Sequence, residues 1–122
     1  MNLFPEEWEL LSLFECEPTI SERDVPWFYN RLTFETKRGS DEIHCEIEPA
    51  YETVNITWWH GGKEKVKLEL HWVGGLQVVT GGGIDYLIVK FRDRYSLALE
   101  FHLKPEIRLR WANSTEYPPS TF

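Results

Sequence analysis

Between Phe28 and Trp111 apolar side chains recur at every second position, a period that a pleated strand satisfies and a helix does not. Leu32, Phe34 and Thr36 alternate with Arg31, Thr33, Glu35 and Lys37; beyond the turn Arg38-Gly39-Ser40-Asp41, Ile43, Cys45 and Ile47 alternate with His44, Glu46 and Glu48. These two runs predict a hairpin. A second hairpin joins Val54, Ile56 and Trp58 to Val66, Leu68, Leu70 and Trp72 across Gly61-Gly62, a pair that accepts the positive φ angles of a tight turn. A third joins Leu87, Val89 and Phe91, through Asp93-Arg94, to Tyr95, Leu97, Leu99 and Phe101, and Ile107, Leu109 and Trp111 close the series. About seven strands with short connections predict a mainly β fold with one short N-terminal helix. Its antiparallel strands form a single strongly curled sheet, a half-open barrel or a sandwich, with one face on a core and the other open to water or a partner.

The N-terminal stretch departs from this period. Pro5, Glu6 and Glu7 suit the first turn of a helix, because proline lacks only an N–H the helix would not use and acids favour the positive dipole end. With Trp8, Leu10, Leu11 and Phe14 at helical spacing, a helix is predicted over Pro5–Glu15, in competition with a strand over Leu11–Cys16. Pro18 to Pro26 reads as a loop. The glycine-rich segment Gly74–Gly83 reads as a bulge or a mobile crossover between hairpins, with room for a short edge strand. Residues 1–113 are expected to form one domain and 114–122 a flexible tail.

Charge narrows the partners. The chain carries 13 Lys plus Arg against 20 Asp plus Glu, a net charge of −7 that opposes a phosphate backbone, so nucleic acid is not an expected ligand. Residues 1–60 hold more than the whole excess, with 13 acids against 4 bases, whereas residues 61–122 hold 7 acids against 9 bases. Such a field steers a basic partner before contact forms. No apolar run approaches the roughly 18 residues of a membrane span, and the acidic start Met1-Asn2-Leu3-Phe4-Pro5-Glu6-Glu7 lacks the basic region of a secretory signal, so a cytoplasmic protein is expected, a monomer or a homodimer. Cys16 and Cys45 are then expected to be free thiols. No phosphate-loop or dinucleotide fingerprint follows the glycines, and no cofactor is expected.

Three arrangements could carry function. The surplus of aromatics, 6 Trp, 5 Tyr and 7 Phe, includes Trp59, which falls out of phase with the core beside Thr57 and Asn55. Exposed Trp and Tyr dominate binding interfaces, so Trp59, the acids Glu35, Glu46 and Glu48, and Trp27 and Tyr29 beyond Pro26 form a candidate protein-binding set. Trp27 and Tyr29 also suit a plug at one end of the sheet, and Trp58 and Trp72, in phase with the core, are expected to pack inside. The second arrangement pairs His44 with Glu46, Glu69 with His71 and Glu100 with His102, each pair two residues apart on the outer strand face. Were those strands neighbours, the pairs would supply metal ligands or an acid–base couple. The third is sugar or small-ligand binding in a half-open barrel, with Trp59 as platform. No Gly-x-Ser-x-Gly elbow or His-x-His signature is present, which favours binding over catalysis.

In size, charge and architecture the chain is similar to small bacterial immunity proteins, which neutralise toxic nucleases by presenting acidic and aromatic surfaces. The acidic front half, the surplus aromatics and the missing catalytic motifs together predict a non-enzymatic protein-binding module with a basic partner, an immunity or antitoxin-like role being its most concrete form; the similarity carries over no individual residues.

Overall fold

The computed structural model describes residues 1–93 and 96–111; Arg94, Tyr95 and the tail expected at 114–122 lie outside the described residues. The expected helix is present as α1, Glu7–Phe14. Its first turn is closed by a reciprocal cap: the Glu6 N–H donates to Glu9 Oε1 at 3.0 Å, and the Glu6 carboxylate accepts the Glu9 N–H. Its apolar stripe, Leu10, Leu13 and Phe14, is buried, which settles the competition with a strand over Leu11–Cys16. Glu15 ends the helix in a left-handed conformation at φ 57°.

The strands form two antiparallel sheets that do not close into a barrel. The first is a five-stranded meander of β1 (Thr19–Ile20), β2 (Leu32–Arg38), β3 (Asp41–Glu48), β4 (Thr53–His60) and β5 (Lys63–Leu70). The second is a four-stranded meander of β6 (Val73–Gly81), β7 (Ile84–Phe91), β8 (Leu99–Lys104) and β9 (Arg108–Arg110). Two of the predicted hairpins occur as β2–β3 and β4–β5, the latter turning on Gly61 and Gly62 at φ 58° and 79°. In the third, β7 pairs with β8, whose ladder begins at Leu99.

Two expectations are corrected. The glycine-rich segment is neither a bulge alone nor a crossover but a nine-residue edge strand, β6, followed by a two-residue turn at Gly82-Gly83, both at positive φ, into β7. The bulge is a smaller feature near Val73 and Gly75. Trp72, in phase with the core by alternation, is 67% exposed. Only His71 and Trp72 separate β5 from β6, and Trp72 takes φ 58° to turn the chain from one sheet to the other, which swings its ring outward under the Arg92 guanidinium, 5.5 Å from the ring centroid.

One continuous apolar cluster joins Leu32, Phe34, Ile43, Cys45, Ile47, Val54 and Ile56 of the first sheet to Leu76, Leu87, Val89, Phe101 and Leu103 of the second. Helix α1 contributes to the same cluster, touching β2 in one sheet and β6 and β7 in the other. Its Phe14 ring stacks on Phe34 with centroids 4.4 Å apart. Among the described residues no helix is long and apolar enough to cross a membrane. Both cysteines are free; Cys45 lies in the core, where burial pushes its thiol pKa up.

Candidate protein-binding face

Since Phe34, Cys45 and Ile56 point into the core, alternation turns Glu35, His44, Glu46, Asn55 and Thr57 to the opposite face of the first sheet. Cross-strand register sets their neighbours in rows. Glu35 lies opposite His44, His44 opposite Thr57 and Thr57 opposite Lys67; one pleat along, Thr33, Glu46, Asn55 and Glu69 form the next row. Beyond the first row, Lys37, Glu42, Trp59 and Glu64 align. A register shift in the β4–β5 ladder falls between Trp58 and Trp59. Trp58 packs partly buried against the core, as expected, and its indole N–H donates to Asp41 Oδ1 at 2.9 Å. Trp59 remains on the outer face.

Two shallow hollows share Trp59 and His44 as their common ridge. The first, about 440 Å³, is lined by Glu35, Thr36, Lys37, Glu42, Ile43, His44 and Trp59. The second, about 320 Å³, takes in Glu46, Asn55, Thr57, Lys67 and Glu69 on the other side of the ridge. The His44 imidazole sits between two carboxylates, with Nδ1 3.4 Å from Glu35 Oε1 and Nε2 3.9 Å from Glu46 Oε2. Lys37 pairs with Glu42 at 3.1 Å, and Arg31 Nε lies 3.2 Å from Glu48 and 3.6 Å from Glu46. At the turn end of the face, Asp41 Oδ1 also lies 2.6 Å from His60 Nδ1. The hydrogen bonds from Trp58 and His60 hold the Asp41 carboxyl below its ordinary range.

The structure thus gathers Trp59, Glu35, Glu46 and Glu48 on one sheet face. Trp27 and Tyr29 are elsewhere, in a 3₁₀ turn. Trp27 meets Phe34 edge-on at 6.3 Å and is half-buried, whereas Tyr29 is exposed beside Phe28. Sequence reasoning set Asn55 and Thr57 beside Trp59 but passed over Glu42 and Lys67, whose place in the site comes from register, a property no single strand displays.

The three His/Glu pairs do not converge. His44, Glu46 and Glu69 share the outer face of the first sheet, but His71 lies beyond the last residue of β5. Glu100 and His102 belong to the second sheet, where His102 Nε2 is 3.0 Å from Glu100 and its ring stacks on Tyr86 at 4.4 Å. The physical reason is the crossover at His71-Trp72, which puts the third pair on a different sheet. Among the described residues no group of three or more His, Cys, Asp or Glu is placed to hold a metal ion.

No protein-family model and no curated protein matches the chain. Its fold is similar to that of a chain in a contact-dependent growth inhibition toxin–immunity protein complex from Klebsiella pneumoniae 342. The TM-score is 0.77 over 93% of this chain and 97% of that one, at 19% sequence identity. At that identity the likeness defines a shared architecture.

Proposed function

We propose that this chain is a binding module of the immunity-protein type, which recognises a basic protein in the cytoplasm through the outer face of its first sheet. The observation that carries this reading is the ridge of Trp59 and His44 between two hollows rimmed by Glu35, Glu42, Glu46 and Glu69. An aromatic anchor surrounded by carboxylates suits a cationic surface. The ring supplies buried area and a face for a guanidinium, and the acids speed encounter and fix orientation. The excess of acids in residues 1–60 and the shared fold with a chain of a toxin–immunity complex support the same reading.

The test is kinetic. The partner is isolated by co-purification with the chain from source cells and identified, and its binding is then measured for wild type and variants. Trp59→Ala is expected to raise Kd at least tenfold, mainly through faster dissociation. Glu35→Lys, Glu46→Lys and Glu48→Lys combined are expected to slow association and flatten its salt dependence. A partner that binds all variants as it binds wild type overturns the proposal.

A further inference from the structure

The two sheets have four edges, and three are unsuited to pairing with another chain. As described, β1 has two residues and β9 three, and the long edge β5 carries Lys63, Lys65 and Lys67, the kind of charge that blunts an edge. The fourth edge, β6, has none of these devices. Its nine residues, Val-Gly-Gly-Leu-Gln-Val-Val-Thr-Gly, include no charge and no proline.

Its backbone directions follow from the bonds at its start. The Leu76 N–H donates to the Leu3 carbonyl at 2.9 Å, and the Gly74 carbonyl accepts from Asn2 N–H at 2.7 Å, so even-numbered residues point away from β7. Leu3 pairs with the strand only at Gly75, in a parallel bridge. Among the described residues nothing pairs with β6 beyond that point, which leaves the N–H and C=O groups of Val78 and Thr80 directed at an open edge. The outer face beside this edge is apolar where water would favour polar groups: Val79 lies opposite Tyr86, and Ile84, opposite Gly81 on the same face, is 46% exposed.

We propose that β6 pairs antiparallel with β6 of a second copy about a two-fold axis at Val79, which joins two four-stranded sheets into one. The open stretch is short, because Leu3 occupies the ladder up to Leu76. Self-pairing about Val79 fits that length: Val78 faces Thr80 of the other copy twice over, satisfying all four open groups on each chain. No charge meets a charge, because β6 has none. The residue brought opposite Leu76 is Gly82 of the turn, which has no side chain to meet Leu3. Val79 faces its own copy as a non-hydrogen-bonded pair, with Cα atoms about 4.5 Å apart. So short an interface gives a weak dimer that depends on concentration. This inference is independent of the proposed partner-binding face, which lies on the other sheet.

A cysteine at the axis reads the geometry directly, because the expected Cα separation suits a disulfide. In full-length chain carrying Cys16→Ser, Val79→Cys is expected to form an intermolecular disulfide at least tenfold faster than Lys63→Cys, placed on the β5 edge. Sedimentation of the wild type is expected to show mass rising with concentration. Thr80→Pro, which removes an N–H that β7 does not use, is expected to stay folded by circular dichroism and monomeric throughout. Equal cross-linking of the two cysteine variants, or a Thr80→Pro protein that still dimerises, overturns the proposal. So does a wild-type mass that stays constant with concentration, including the case in which the Val78 and Thr80 amides gain exchange protection only when a different protein is bound.

Discussion

Asp41 and Trp58, seventeen residues apart, are joined by an indole N–H donated to Oδ1 at 2.9 Å, and the same carboxylate lies 2.6 Å from His60. The bond ties the start of β3 to the last residues of β4, beside the ridge that carries Trp59. Asp41→Ala is expected to cost about 1–2 kcal/mol, the range for a hydrogen bond to a charged group reduced for partial exposure. The folded pKa lies below the ordinary value of 3.8, so this contribution is present above that pH and is lost as pH falls through the folded value. Urea unfolding of wild type and variant from pH 7 to pH 3 checks it: the gap between the two curves should hold above about pH 4 and narrow below.

Phe34→Ala should be far more damaging. Phe34 is fully buried, stacks on Phe14 and meets Trp27 edge-on, so it links the helix, the first sheet and the 3₁₀ turn. A loss of about 3–5 kcal/mol is expected from the removed ring and the cavity left behind, read as a fall in the denaturation midpoint with unchanged slope.

Gly75 is held by proximity. A Cβ there would stand 2.9 Å from Leu3 Cβ and 3.3 Å from the Leu3 carbonyl oxygen. Gly75→Ala is expected to displace the N-terminal segment from β6 and lower stability by about 1–3 kcal/mol. Adding Leu3→Gly, which removes the opposing Cβ, should recover part of the loss; a double-mutant cycle measures the coupling.

Trp58 and Trp72 occupy equivalent phases in the sequence and opposite environments in the fold. Trp58→Ala is expected to cost about 3 kcal/mol, because the ring packs on the core and holds Asp41. Trp72→Gly keeps the left-handed conformation and relieves the cost of about 1–2 kcal/mol at which a bulky residue adopts it, against about 0.5–1 kcal/mol of cation–π contact with Arg92. Thermal melts should therefore show the first variant well below wild type and the second at or above it.

That pair also marks how far the sequence could be read. The hairpin at Gly61-Gly62 was legible because two alternating runs flank residues that accept positive φ, so local chemistry and local pattern agree. The corner at His71-Trp72 was not, because it contains neither Gly nor Pro, and the alternation of β5 runs through it without a break in phase. From that one hidden corner follow the point at which the chain divides into two sheets, the misplaced Trp72 and the separation of His102 from His44. The glycine-rich stretch misled for the opposite reason: three consecutive glycines suit a turn, a bulge or a mobile loop equally, and the identity of the turn depends on the pairing of β6 with β7. The outer-face assignment of Trp59, Glu35, Glu46 and Glu48 needed only the period of two. Their neighbours Glu42 and Lys67 needed the register.

The corner has a further consequence. Each sheet is a run of sequential hairpins, and among the described residues no strand ladder joins one to the other; the link from strand to strand is a side-chain one, the Arg38 guanidinium of β2 donating to the Leu103 carbonyl of β8 at 2.8 Å. Severing the peptide bond between His71 and Trp72 would leave every ladder whole. What would hold the pieces together is the helix wedged between the sheets, the short bridge from Leu3 to Gly75, the hydrogen bonds from Arg38 to the Leu103 carbonyl and from the Val73 N–H to the Glu52 carbonyl, and the shared apolar interior. The protein is built as two self-pairing ribbons on one thread, and it should be recoverable from two separately made fragments that find each other in solution.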